Sequence, residues 1–173
     1  MFVSRVIALI LIIPWLWPAS LYAQSEALMD AFNQGQALYK AGRYEQAIPF
    51  YREALELSER EFGPNHPTTA SLLNNFAMLY HDTGRFEAAE QLYKQALSIW
   101  EKALGPDHTD VATGLNNLAS LYKDQGRYAV AEPHFKRALS IREKALGPDH
   151  LDVAQSLNNL ALLYKIRGRY RAA

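Results

Sequence analysis

Three histidines recur in one setting: Gly63-Pro64-Asn65-His66, Gly105-Pro106-Asp107-His108 and Gly147-Pro148-Asp149-His150. Imidazole is a common metal ligand and general base near neutral pH, so the recurrence invites a metal or catalytic reading. The spacing argues against both. One histidine every 42 residues does not supply the converging ligands that a metal needs, and each follows a turn-forming string, so turn or capping roles are expected. His81 and His134 occur singly, and Glu87, Glu90, Glu132 and Glu143 have no paired-carboxylate spacing and read as solvated helix-face charges. Cysteine is absent, which removes thiolate ligands and thiol nucleophiles together. No Gly-rich phosphate loop, nucleophile elbow or His-Glu-x-x-His string is present. The expectation is no catalysis, no metal and no cofactor.

The second recurring chemistry is that of amides. Leu115-Asn116-Asn117-Leu118-Ala119 returns at 157–161, and 73–77 reads Leu-Asn-Asn-Phe-Ala. With Leu115 at zero and ~100° per residue, the apolar stripe of Leu115, Leu118, Ala119 and Tyr122 centres near ~350°, whereas Asn117 lies near ~200°, facing away from its own core. The Asn117 register recurs as Asn33, Asn75 and Asn159. Asn116, near ~100°, sits on the border of the stripe beside Lys123. Asn74 and Asn158 share that position, and Phe32 takes it in the first unit; a bond to a neighbouring helix and contact with a ligand are equally open there. An Asn inside a helix loses roughly 0.5 kcal/mol relative to Ala, so helix stability gives no reason to keep the row.

The elements that carry these residues are repeats. Gly42, Gly84, Gly126 and Gly168 are 42 residues apart, each followed by Arg and then by Tyr44, Phe86, Tyr128 or Tyr170. The same register aligns Ala47, Ala89, Ala131 and Ala173, then Tyr51, Tyr93 and Phe135. Self-similarity at such a period marks a solenoid. Within a unit, apolar residues at i, i+3, i+4 and i+7 define two helices, the first ended by the left-handed glycine and the second by Gly-Pro. Ala89 leaves a hole that Tyr122 can fill. First helices are expected near 28–41, 68–82, 110–124 and 152–166, and second helices near 44–62, 86–104 and 128–146. Pro49 and Pro133 should be tolerated because they fall within about the first turn and a half of their helices.

The N-terminus reads differently. Arg5, the apolar stretch Val6 to Trp17 and the small residue Ala23 have the three-part layout of a secretory leader, and the stretch is shorter than the ~20 residues that span a bilayer. Residues 1–23 are therefore expected to be a signal peptide and 24–27 a short lead-in. No cysteine follows for lipid attachment, and periplasmic or extracellular export without membrane insertion is expected. The whole chain has 18 basic and 18 acidic residues. Losing Arg5 leaves a net charge near −1 on the remainder. Although Arg43, Arg85, Arg127 and Arg169 recur, acids accompany them, and without a basic excess the phosphate term of nucleic-acid binding is missing. Ion pairs or solvated caps are expected there.

Leu118-Ala119-x-x-Tyr122 followed by Ala131-x-x-x-Phe135 resembles the tetratricopeptide repeat family. The 42-residue unit, Leu-Asn-Asn-Leu-Ala and Glu-Lys-Ala-Leu-Gly-Pro-Asp-His (101–108 and 143–150) resemble the kinesin light chain type of repeat, also found in many bacterial proteins. The resemblance covers about 28–173. It implies an all-α right-handed solenoid of antiparallel helix pairs, about three and a half repeats at 28–69, 70–111, 112–153 and a truncated 154–173. The family's tryptophan in the first helix is Leu73, Leu115 and Leu157 here, and Leu38 replaces a tyrosine in the opening unit, which is expected to act as a cap.

In such solenoids the Asn117 position lines the concave groove, so the resemblance implies that Asn33, Asn75, Asn117 and Asn159, with Asn74, Asn116 and Asn158 beside them and Lys123 and Lys165 assisting, bind an extended, strand-like peptide with a mild preference for acidic sequences. The lysine and arginine of carboxylate-clamp relatives are Thr113 and Asn117 here, so a terminal carboxylate is not the expected ligand. Amides that merely keep the face soluble are the other reading. Three roles stay open: a scaffold for peptide or protein partners, a regulatory or targeting part of a larger exported protein whose enzymatic part lies elsewhere, and a structural spacer, against which the repeated polar residues count. Leu157, Leu160, Ala161 and Tyr164 lack a covering second helix in this sequence, and fraying or self-association is expected there.

Overall fold

A computed structural model describes residues 17–168, with side chains from Glu26 onward. Seven helices follow one another: α1 Trp17–Lys40, α2 Tyr44–Phe62, α3 Pro67–Asp82, α4 Phe86–Leu104, α5 Thr109–Asp124, α6 Tyr128–Leu146 and α7 Leu151–Ile166. No strand occurs among the described residues. None of their helices is long and apolar enough to cross a membrane. Each helix packs on its neighbours in sequence, with α1 on α2, α3 on α4 and α5 on α6 as tight pairs, and α3 also touches α5. The architecture is a right-handed α-solenoid of antiparallel pairs.

Three glycine-ended turns close the first helices in one way. Gly42, Gly84 and Gly126 adopt φ of 70°, 73° and 75°, and the following arginine N–H reaches back to Leu38, Tyr80 and Tyr122 carbonyls at 2.9, 2.8 and 2.8 Å. That pair of conformation and bond satisfies carbonyls the helix leaves open. The second helices end differently: Gly105 has φ 92° and ψ 157°, a region open essentially to glycine alone, and Pro106 holds it extended. His66, His108 and His150 then cap α3, α5 and α7, their Nδ1 accepting the backbone N–H of Thr68, Asp110 and Asp152 at 3.2, 3.2 and 3.1 Å. Pro49 and Pro133 lie inside unbroken α2 and α6.

The one boundary that differs from expectation is the first. The described part of α1 is already helical at Trp17, well before residue 28, and residues 19–27 contain no Gly or Pro to interrupt it. The expected leader falls outside the described residues up to residue 16. Its expected cleavage point, after Ala23, falls inside α1.

No helix pair contains its own core. Ala77, Ala89, Tyr93, Leu118, Ala119, Tyr122, Ala131, Phe135, Leu160 and Leu163 form one buried cluster running from α3 to α7, and Ala70, Leu73, Ala96, Trp100, Val111, Leu115 and Ile141 belong to a second from α3 to α6. The junction between a second helix and the next first helix carries a different lock each time. Ser58 Oγ meets Thr69 Oγ1 at 2.9 Å in a buried contact. At the equivalent place Trp100 lies so close to Gly114 that a Cβ there would meet its ring at 3.1 Å. In the third, buried Arg142 donates to Ser156 Oγ at 2.8 Å and to the Asp152 carbonyl at 3.3 Å, and burial pulls its guanidinium below the usual arginine range.

Leu73 and Leu115 are 1% and 2% exposed, whereas Leu157 at the same register is 49% exposed. Amides of α7 should therefore exchange with deuterium faster than those of α5, because local opening of α7 uncovers less apolar surface. Equal protection of the two helices by hydrogen-exchange mass spectrometry would contradict this.

Candidate functional site

The asparagine pairs lie on α3, α5 and α7, and the structure gives the two members of a pair different work. Asn74 and Asn116 are 6% and 8% exposed. The Asn74 Oδ1 accepts from Asn117 Nδ2 at 3.0 Å, and Asn116 Oδ1 accepts from Asn159 Nδ2 at 2.8 Å. Each bond joins residues 43 apart, one repeat plus one residue, so the first asparagine of a unit holds the second asparagine of the next. Of the two roles open for Asn116, the structure supplies the bond to a neighbouring helix, and Asn74 does the same.

Asn117 and Asn159 are half-buried, and within the chain their Oδ1 atoms accept no hydrogen bond among the described residues. Asn75 is also half-buried, but the residue 43 before it is Phe32, and its amide makes no side-chain bond among the described residues. Asn33 and Asn158, at the two ends of the row, are exposed and make no side-chain bond among the described residues. The row is thus graded: two amides fixed in one orientation, one unfixed, one open at each end.

A second ladder with the same offset runs two turns further along these helices. Tyr39 donates to Asp82, and His81 Nε2 lies 3.0 Å from Asp124 Oδ2. Burial first, then the Asp82 acceptor, hold the Tyr39 phenol well above its ordinary range. In the next unit Ile166 replaces the aspartate, and Lys123, 20% exposed, turns to Asp124 at 3.3 Å. Lys165 is exposed and has no partner among the described residues.

Two glutamates read from the sequence as solvated are not. Glu90 and Glu132 have side chains only 18% and 16% exposed. Glu90 accepts from Lys94 at 2.6 Å, Tyr122 at 2.9 Å and Arg127 at 3.0 Å, while Arg127 also covers the Tyr122 ring at 4.3 Å. Glu132 repeats the set with Lys136 at 2.8 Å, Tyr164 at 3.2 Å and Arg167. These are staples between repeats. Their tyrosine and arginine partners are 32 to 37 residues away, beyond what a single helix face reveals. In the earlier unit Ile48 stands at the Glu90 register, and Arg85 pairs instead with exposed Glu45 at 2.6 Å. Arg43 is exposed, and Arg169 lies outside the described residues.

Among the described residues no three His, Asp or Glu side chains gather closely enough to hold a metal ion. What the row can do chemically is offer amide oxygens, and one remaining amide N–H each, to a backbone laid across α3, α5 and α7.

The profile of the nephrocystin-3 TPR domain matches residues 22–145, and that of a tetratricopeptide repeat matches 153–173. The chain belongs to the tetratricopeptide repeat family. Among solved TPR-type structures, BtubC from P. vanneervenii is similar at a TM-score of 0.76 and 26% identity, over 90% of this chain and 65% of that one. This chain therefore spans less than two thirds of BtubC. A kinesin light chain candidate of Podosopora anserina with nearly identical TPR-like repeats gives a TM-score of 0.69 at 19% identity, over 90% of this chain and 77% of its own. The N-terminal domain of stress-induced protein-1 from C. elegans gives 0.57 at 22%, over 79% and 97%. Comparison with curated proteins yields no match.

The glutamate staples make TPR stability depend on acid. Burial alone would raise Glu90, but its bonds to Lys94, Tyr122 and Arg127 leave it below the ordinary 4.5; Lys136 above all, against the effect of burial, lowers Glu132. Folded-state values below unfolded ones mean stabilisation that is complete above the ordinary glutamate range and lost as pH falls through the lowered values. Melting temperatures measured from roughly pH 6 to pH 3 should fall for the native protein and fall less steeply for the Glu90→Gln, Glu132→Gln double variant. Parallel curves would show that the staples do not couple to protons.

Proposed function

We propose that this TPR array is a non-catalytic scaffold that binds an extended peptide or protein segment along the face formed by α1, α3, α5 and α7. TPR repeats are in general protein–protein interaction modules, and the observation that carries the finer reading is the row of half-buried amides whose oxygens are unspent among the described residues. Asn117 and Asn159 are the central contacts, with Asn75 and Asn33 extending the row and Asn158 at its far end. Asn74 and Asn116 hold the central amides. Lys165, unpaired, and Lys123, paired to Asp124, add a mild preference for acidic ligands.

The direct test uses peptides selected on the native protein from a random display library. Replacing Asn75 and Asn117 by Ala should weaken their binding by about tenfold, the equivalent of ~1.4 kcal/mol, a loss consistent with two hydrogen bonds at ~0.5–1.5 kcal/mol each, while helicity stays constant. Unaltered affinity would leave the amides with no role beyond holding the repeats together.

Export belongs to the same proposal, on the strength of the leader-like composition of residues 1–23. Intact-mass measurement of the protein recovered outside the cytoplasm should give a chain beginning at Gln24. A soluble product beginning at Met1 would remove the leader reading.

A further inference from the structure

We infer that the segment held by this groove is a polyproline II helix that keeps a backbone N–H at every third residue. The inference rests on the peptide-groove reading above and specifies the ligand's conformation and sequence class. It begins from the sense of the ladder. Asn117 and Asn159 both send Nδ2 back to the preceding repeat, at 3.0 and 2.8 Å, so both leave the same atom, Oδ1, without a partner among the described residues. Neighbouring rungs therefore ask for the same thing, in the same direction, one repeat apart.

That repeat distance selects among backbones. The 2.8 Å bond between Asn116 on α5 and Asn159 on α7 makes those two helices neighbours, and neighbouring helices stand ~8–10 Å apart. A ligand satisfying both amides must turn a backbone N–H to the same side at that interval. A β-strand returns to the same side every second residue, after ~6.6–6.8 Å; its third residue arrives at ~10 Å but faces the opposite way. The strand-like ligand expected from the sequence thus meets the spacing and misses the facing. An α-helix repeats every 5.4 Å and spends its N–H groups internally. Polyproline II has three residues per turn and a rise of ~3.1 Å, so it returns to the same side after ~9.3 Å with every backbone group unpaired.

Proline itself cannot serve at the reading position, because it has no N–H. It suits the two positions between, where it presets the conformation and lowers the ordering cost of binding. The ligand pattern is X-Pro-Pro or a relaxed form of it, with X not proline. Asn75, whose register partner is Phe32 rather than an amide, makes no side-chain bond among the described residues and adds a third rung.

The experiment measures fluorescence anisotropy of labelled fifteen-residue peptides with the full chain: five Ala-Pro-Pro units, a proline homopolymer, a Gly-Ser peptide and the random pool. The Ala-Pro-Pro peptide should bind at least about tenfold more tightly than the homopolymer, which lacks every N–H, and than the Gly-Ser peptide, which has them but no preset turn; two lost bonds at ~0.5–1.5 kcal/mol each correspond to such a ratio. The Asn117→Ala, Asn159→Ala variant, checked by circular dichroism, should lose the preference. Equal binding of the homopolymer or of the Gly-Ser peptide overturns the inference without reference to any variant. Pool peptides that bind through the asparagines while Ala-Pro-Pro does not would overturn it and leave the groove reading standing. Absence of binding by every probe would overturn both.

Discussion

Helix pairs in this chain meet through alanine. Ala47, Ala89 and Ala131 on the second helices and Ala77 and Ala119 on the first are wholly buried, and a side chain that small lets a neighbouring aromatic ring close the gap at interior packing density. Tyr93 and Phe135, buried to within 1%, are such rings. Because the apolar clusters run across several helix pairs, stability belongs to the contacts between units more than to any unit. The asparagine ladder, the tyrosine–aspartate and histidine–aspartate ladder and the glutamate staples all depend on that close approach. A wider spacing would break bonds of 2.8 to 3.0 Å before it opened the core.

The division of labour within the asparagine pair follows from the same geometry. The first asparagine, at the border of the apolar stripe, is drawn against the first helix of the next repeat and becomes a buried acceptor; the second, one residue on, keeps an edge to solvent. A ligand would then meet amides that have already lost their rotational freedom, which lowers the entropy cost of ordering them on binding.

The fold was legible in the residues to an unusual degree, because glycine at fixed intervals and the 3.6-residue apolar period act locally. The expected second helices at 44–62, 86–104 and 128–146 coincide with α2, α4 and α6. The histidine caps were legible as well, since the Gly-Pro-Asx-His string places each one directly before its helix. What a helical wheel could not yield were contacts defined by an offset of one repeat plus one residue. Asn116 showed its angle but not that Asn159 faces it, and Glu90 looked solvated because Tyr122 and Arg127 lie on later elements. The helical state of residues 17–27 was hidden by composition: an apolar stretch followed by small residues reads as a leader whether or not its last residues are helical. The peptide-contact role of the row has its support in these geometries and its test in binding.

Units of one pattern carry a hazard of their own: a folding chain can pair each helix with the right partner type from the wrong unit. The three junction locks bear on that error. Were α7 to take the place of α5 on α4, Ser156 would bring a Cβ to the spot where Gly114 leaves only 3.1 Å to the Trp100 ring. Were α5 to sit against α6, Arg142 would face Gly114 and lose its hydroxyl acceptor, leaving a buried cation without that bond. A repeat protein that is uniform along its outer register is thus individual at its joints, and the order of its units is written in the size and polarity of three side chains.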